Sequence, residues 1–417
     1  MIIDPPSVLR RERVSRRASV RFTHLAETIG RAYEPASTQL DALQRAYEST
    51  GEFLVECPEF DGLMAQVHAH GSRQLGAMVR PSQQRDGWDI DLVARLTREA
   101  LQRYGGEQGA ALLLRHLFAA LERYAARHDL AIERHERCVT LVYAGGMRAD
   151  FAPVIDDPLY GVLQGEHHGR IPDRELRRYL STNPRGFCLE FDRVARIPPN
   201  FPMVEKLAAE FNEARRADVL PLPDPEEVFG RLASRYVQAG KIHRNVAFAA
   251  APGTADLRPP SFFLTSLIAT GYAREAPHPH DGPLDLFQDI VERLHEPIQR
   301  YRRPDGTEHW ELFNPTAQHD NLAAAMNDPV MQAAFWAWHE KLRADLREIQ
   351  EVIEQQRGLD EVLRVVERAF GRSAATALAS DNSGRRESQR AVGRSVYLAA
   401  GTTPVVAAPV PHTYFGR

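Results

Sequence analysis

The stretch "HAHGSRQLGAMVRPSQQRDGWDIDLVARL", residues 68–96, sets Gly71-Ser72 ahead of two aspartates one residue apart, Asp89 and Asp91, in an apolar run. Side chains alternate along a strand, so this run puts both acids on one face and sends Ile90 into a core. Two adjacent carboxylates repel unless a cation sits between them. Mg²⁺ or Mn²⁺ suits oxygen donors and leaves room for phosphate. A third acid, Asp150, lies in a later apolar stretch, "MRADFAPVI". On a neighbouring strand it would be about 5 Å away. Three acids at that spacing could hold two metals about 3.5–4 Å apart, the arrangement that clamps the attacking and leaving oxygens of a phosphoryl displacement. The Gly71-Ser72 turn would offer backbone N–H groups to a triphosphate at a helix start. Asp-x-Asp alone usually marks a solvated strand edge. Gly-Ser, Asp-x-Asp and a later acid on an apolar strand, in that order, make a far more specific signal.

The chain has 417 residues, enough for two or three domains, and is 43% hydrophobic and 26% charged, as a soluble protein with a real core is. A net charge of −4 does not advertise a long nucleic acid partner. Three cysteines, Cys57, Cys138 and Cys188, form no Cys-x-x-Cys pair, which speaks against a disulfide scaffold or zinc site. The opening "MIIDPPSVLRRERVSRR" lacks a signal-peptide apolar run and no stretch reaches membrane-spanning length. The expectation is a cytoplasmic protein with no membrane partner.

Helical spacing from Leu25 to Val55 is interrupted by Pro35, after which "PAST" reads as a new helix start with a Ser or Thr cap. "FDGLMAQVHAHGS" and "GWDIDLVARL" read as strands, and residues 97–129 as helix broken near Gly105-Gly106. "AIERHERCVTLVYAGGMRADFAPVI" reads as two strands joined at Ala144-Gly145-Gly146. Residues 157–200 look loop-like, helices dominate afterwards, and 372–417 read as a mobile tail. These features predict an α+β protein. Residues 1–195 would form a mixed-sheet core with N-terminal helices, 196–370 a helical domain and 371–417 the tail, with the active site in the cleft between the domains.

The motif order resembles the DNA polymerase beta-type nucleotidyltransferases. It is most similar to the CD-NTases of the SMODS group, bacterial relatives of cyclic GMP-AMP synthase in CBASS antiphage defence. "HGSRQLGAMVRP" with "WDIDLVARL" looks like the family's Gly-Ser loop and acidic strand, and "CVTLVYAGGMRADFAPVI" like its third-acid strand. "STNPRGFCLEF", "AGKIHRNVAF", "RPPSFFLTSLIATGY" and "LFNPTAQHDNLAAAM" extend the likeness over about residues 25–370. His70 stands where the family often has Gln, and Ala77 where it often has Thr.

The resemblance implies a cyclic oligonucleotide synthase. It would take ATP, GTP or UTP with two Mg²⁺ ions, or Mn²⁺ in their place. Asp89, Asp91 and Asp150 would bind metal and act in catalysis. Gly71, Ser72, Lys241, Arg244 and Ser261 would bind nucleotide, the last three from the second domain. The tail end, Gly416 and Arg417, looks like a terminus joined to targets by ubiquitin-transfer-like operon partners. The alternatives are a template-independent RNA-end nucleotidyltransferase and a catalytically silent nucleotide-binding scaffold. His167-His168 and His278-Pro-His280 read as exposed loop histidines, Trp310, Trp336 and Trp338 as core, and Tyr143 or Phe187 as a candidate base-stacking ring.

Overall fold

The computed structural model describes residues 15–80, 89–143, 146–157, 167–202, 231–251 and 253–391. Gly416, Arg417, the turn residues Ala144 and Gly145, and "VEKLAAEFNEARRAD" (204–218), the first stretch after residue 200 whose spacing reads as helix, lie outside these described residues.

Two helices come first, α1 (Arg16–Ala32) and α2 (Ser37–Val55). Gln39 Oε1 accepts from the Ala36 N–H at 2.9 Å, so the start of α2 is held by a glutamine rather than the expected Ser or Thr cap. Strand β1 (Met64–His70) runs into a single helical turn, α3 (Gly71–Gln74). Strand β2 (Asp89–Leu96), helices α4 (Ala100–Tyr104) and α5 (Gly109–His128), and strands β3 (Ala131–Arg134), β4 (Val139–Val142) and β5 (Arg148–Asp156) follow. The sheet order is β1-β2-β5-β4-β3, with β2 and β5 parallel and the other pairs in this row antiparallel. One face is apolar. Ile90, Leu92, Leu141, Ala149 and Phe151 pack there against Leu113, Leu117 and Leu121 of α5.

Two stretches of this part differ from expectation. Residues 131–156 make three strands, because the first reversal, at 135–138, carries no Gly or Pro to announce it. The loop expected at 157–200 contains β6 (Gly169–Asp173), β7 (Arg178–Thr182) and helix α6 (Pro184–Ala195). Charged residues fill this edge hairpin, as edges often require, and hide its strand pattern. The Asn183 cap, accepting from Gly186 N–H at 2.9 Å, followed by Pro184 was a readable helix start.

The second part holds α7 (Leu232–Ala250), α8 (Ser261–Glu275), α9 (Pro283–Glu292), two small hairpins β8 (Gln299–Arg302) with β9 (Glu308–Glu311) and β10 (Phe313–Asn314) with β11 (Ala317–Asn321), then α10 (Pro329–Glu354), α11 (Leu359–Phe370) and α12 (Arg372–Ala391). The first 20 residues of the expected tail, Arg372–Ala391, are therefore helical. Ala374 and Leu378 of α12 are buried, and Asp381 meets His24 of α1 at 2.9 Å. Helix α1 packs into the helical core through Phe22, Leu25, Ile29 and Tyr33, so it joins the second part and not the sheet. Trp310 and Trp338 are buried there as expected.

A buried ion cluster ties α7 to α10 and α11. Asp345 accepts from His243 at 2.9 Å, from Lys341 at 3.1 Å and from Arg368 at 2.8 Å. Burial alone would raise the Asp345 carboxyl, but the His243 and Lys341 partners overcome it and hold it down to about 2. The carboxylate therefore stabilises the fold above its ordinary value of 3.8, and that contribution fades as pH falls towards 2. Asp345→Asn is expected to cost about 3 kcal/mol at pH 7 by leaving buried charge unpaired. Urea denaturation checks it, and a loss under about 1 kcal/mol would show the cluster to be ornamental.

Candidate active site

The site rests on one row across the sheet. Strand register sets His70 beside Asp91, Asp91 beside Asp150, and Asp150 beside Thr140. Paired residues share a face, so the two acids expected to be neighbours are directly opposed. The Thr140 hydroxyl donates to Asp150 Oδ1. At the open end of β2, Asp89 pairs in register with Arg148, whose Nε lies 3.8 Å from the Asp89 carboxylate while its Nη groups bind Glu133. The Asp89 side chain is 65% exposed.

The Gly71 turn closes over Asp91. Its φ is +62°, and a Cβ there would lie 1.9 Å from Asp91 Oδ2, so no side chain fits. The Ser72 backbone favours the charged form of the Asp91 carboxyl beneath it, and Cys188 Sγ of α6 lies 3.4 Å from Nδ1 of His70, the residue before the turn.

From the second part, α7 brings Lys241 and Arg244. Lys241 is buried and its Nζ donates to the Ala77 carbonyl at 3.3 Å. Arg244 Nη1 donates to the Pro259 carbonyl at 2.7 Å and to Ser261 Oγ at 3.1 Å, where α8 begins. Gly71, Ser72, Asp91, Asp150 and Lys241 thus form one group, Arg244 and Ser261 adjoin it, and Asp89 stands at its solvent edge.

The charges are crowded. Burial pushes Asp91 up, the Asp150 charge pushes it further, Lys241 opposes and Asp89 adds, giving about 6. Burial lowers Lys241 and Arg244 lowers it further, against the pull of Asp91, to about 7. Among the described residues no three His, Cys, Asp or Glu side chains stand together as a ready metal cage. The donor chemistry nonetheless fits Mg²⁺: Asp91 and Asp150 offer hard oxygens, and their mutual repulsion is what a divalent cation relieves.

Other expectations change. His168 and His280 are buried, not exposed. His168 Nε2 meets Ser181 Oγ at 2.7 Å, and His280 Nε2 meets Asp289 at 3.2 Å. Phe187 is buried against Phe262, ring centroids 4.3 Å apart, so it is a core ring. The Tyr143 hydroxyl meets Thr50 Oγ1 at 2.8 Å. Nothing in the sequence ties Thr140 to Asp150 or Cys188 to the His70 turn, since only the folded register brings them to the site.

A mixed sheet bearing opposed carboxylates, with a helical unit across the cleft, defines a DNA polymerase beta-like nucleotidyltransferase fold. Within that class the chain is similar to CD-NTases. It is 23% identical over 356 residues to a c-di-GMP synthase of Roseivirga ehrenbergii, covering 84% of this chain and 85% of that one. It is 28% identical over 257 residues to the cyclic dinucleotide synthase CdnG of Bradyrhizobium diazoefficiens, 58% of this chain and 56% of that one. The structure of that CdnG in complex with GTP superposes with a TM-score of 0.55 at 21% identity, covering 86% of this chain and 97% of that one. No family model matches the chain. Among the described residues no helix is long and apolar enough to cross a membrane.

A raised carboxyl favours the fold when protonated, so stability is lost as pH climbs from the ordinary 3.8 through about 6. In chelator-treated protein, Asp91→Asn is therefore expected to add about 2–3 kcal/mol at pH 8 and little at pH 4. Thermal denaturation at both pH values decides it. An equal gain at both would remove the electrostatic account.

Proposed function

We propose that this chain is a cyclic oligonucleotide synthase that makes a second messenger from ribonucleoside triphosphates in antiviral signalling. One observation carries the reading: Asp91 and Asp150 oppose each other under the Gly71-Ser72 turn, with Lys241 reaching in from the other side of the cleft. The named activities of the c-di-GMP synthase and CdnG support it.

In the reaction a ribose hydroxyl attacks the α-phosphorus of a second nucleotide. A new P–O bond forms, the α–β anhydride bond breaks, and pyrophosphate leaves with the bonding electrons. A second such transfer within the linear product closes the ring. Asp89, Asp91 and Asp150 would hold Mg²⁺, which supplies charge neutralisation at the phosphates and lowers the barrier to forming the alkoxide. Thr140 occupies one oxygen of Asp150 and so orients the other to receive the proton of the attacking hydroxyl. Burial and Arg244 hold Lys241 down to about 7, and a phosphate arriving beside it favours its charged form. Ser72 and Ser261 offer hydroxyls, and Arg244 a guanidinium, to the same phosphates.

Incubation with all four ribonucleoside triphosphates and Mg²⁺ or Mn²⁺, read by mass spectrometry, should give pyrophosphate and a phosphatase-resistant cyclic product. Asp89→Asn/Asp91→Asn should lower turnover by at least about 10³-fold. Wild-type protein that yields only linear, primer-dependent product, or none with either metal and with phage extract, would sink the proposal. The C-terminal Gly416 and Arg417 are proposed as the point of attachment for ubiquitin-transfer-like partners. Intact mass after co-expression with those partners should rise by the mass of the target.

A further inference from the structure

Three polar side chains of α7 lie on one face, at Ser234, Gln238 and Lys241, four and then three residues apart. They donate to three backbone carbonyls of the segment that follows the Gly71 turn. Ser234 Oγ reaches Leu75 O at 2.9 Å, Gln238 Nε2 reaches Met78 O at 3.1 Å, and Lys241 Nζ reaches Ala77 O at 3.3 Å. The Arg80 N–H then donates to the Tyr33 carbonyl of the residue after α1 at 2.8 Å. The segment belongs to the sheet domain by sequence, yet these backbone groups are satisfied by the helical one.

The Gln238 amide is itself aimed. Arg235 Nη1 donates to its Oε1 at 2.6 Å. Two nitrogens of Arg235 grip Glu27 of α1 at 2.6 and 2.7 Å, and Nη1 meets Glu34 at 2.6 Å. Gly30 makes the room, since a Cβ there would lie 2.6 Å from Arg235 Nη1. Arg235 and Gln238 are both buried, 3% and 1% exposed. A buried charged network of this kind is seldom the most stable solution, because apolar side chains of similar volume often serve stability as well. What it supplies here is a fixed direction for one amide.

We propose that Ser234 and Gln238 are positioning residues that hold the Leu75–Arg80 segment, and through it the Gly71-Ser72 turn, in the geometry that receives a nucleoside triphosphate. Arg235 and Glu27 keep the Gln238 amide aimed. The nucleotide role rests on the function proposed above; the strap itself does not. It makes the turn over Asp91 answer to the placement of α7, so the two sides of the cleft are set together.

The test compares wild type, Ser234→Ala/Gln238→Met, Ser234→Ala alone and Ser234→Thr. Hydrogen exchange of amides 71–80 is read against those of 232–250, and ATP and GTP binding with Mg²⁺ is measured by calorimetry. The double variant should exchange about tenfold faster at 71–80 with 232–250 unchanged, and bind triphosphate about tenfold more weakly. Steady-state turnover should show the loss mainly in KM. Ser234→Thr, which keeps the hydroxyl, should behave as wild type. If the double variant loses protection throughout, Ser234→Ala decides, with about threefold expected in both readouts. Unchanged exchange at 71–80 overturns the strap. Faster exchange with unchanged triphosphate affinity overturns its role in nucleotide binding. Wild-type protein that binds neither triphosphate counts against the proposed function and the nucleotide role together, while the exchange arm still reports on the strap.

Discussion

Asp91 is a carboxylate enclosed by backbone on one side and by a second carboxylate on the other. Most of the site follows from that enclosure. The turn above it must be Gly71, because its φ is positive and a methyl would strike Asp91 Oδ2. The strand beside it must present Asp150, because the parallel register of β2 and β5 leaves no other partner. A cation must approach from across the cleft, and Lys241 does so from α7. A charge so placed is costly by itself. It becomes useful when a substrate brings compensating charge.

The architecture answers that requirement with two separate cores. The sheet core fixes the acids through strand register, which is rigid because a slip of one residue would turn every side chain to the other face. The helical core fixes the cations through the packing of α7 against α1, α8 and α11, with Tyr236, Ile242 and Phe248 buried. The cleft lies where the cores meet, and polar groups cross there. Cys188 and the His70 ring form one such contact, and the carbonyls of Leu75, Ala77 and Met78 take the others.

Helices were largely legible because their apolar periodicity survives local detail. That holds for α5, α8 and α10. The small strands were not. The β6–β7 hairpin is charged, and the β8–β9 hairpin turns at Asp305-Gly306, a readable signal lost among flanking arginines. Helix α12 was hidden by its small-residue composition, since Ala374 and Leu378 look like linker until α1 is there to bury them. The buried histidines show the same limit. Nothing local distinguishes His168 or His280 from a loop histidine before Ser181 and Asp289 are placed beside them.

By itself the sequence determined which atoms the chemistry can use. Asp-x-Asp on an alternating strand puts two acids on one face whatever the fold, and Gly before Ser permits a turn that no other pair allows so cheaply, because both are consequences of local backbone geometry. Only the tertiary structure decided that Asp91 rather than Asp89 faces Asp150, that Thr140 holds one oxygen of the third acid, and that α1 belongs with the helices. Those facts depend on register and packing between segments tens to hundreds of residues apart, and such contacts leave no periodic trace along the chain.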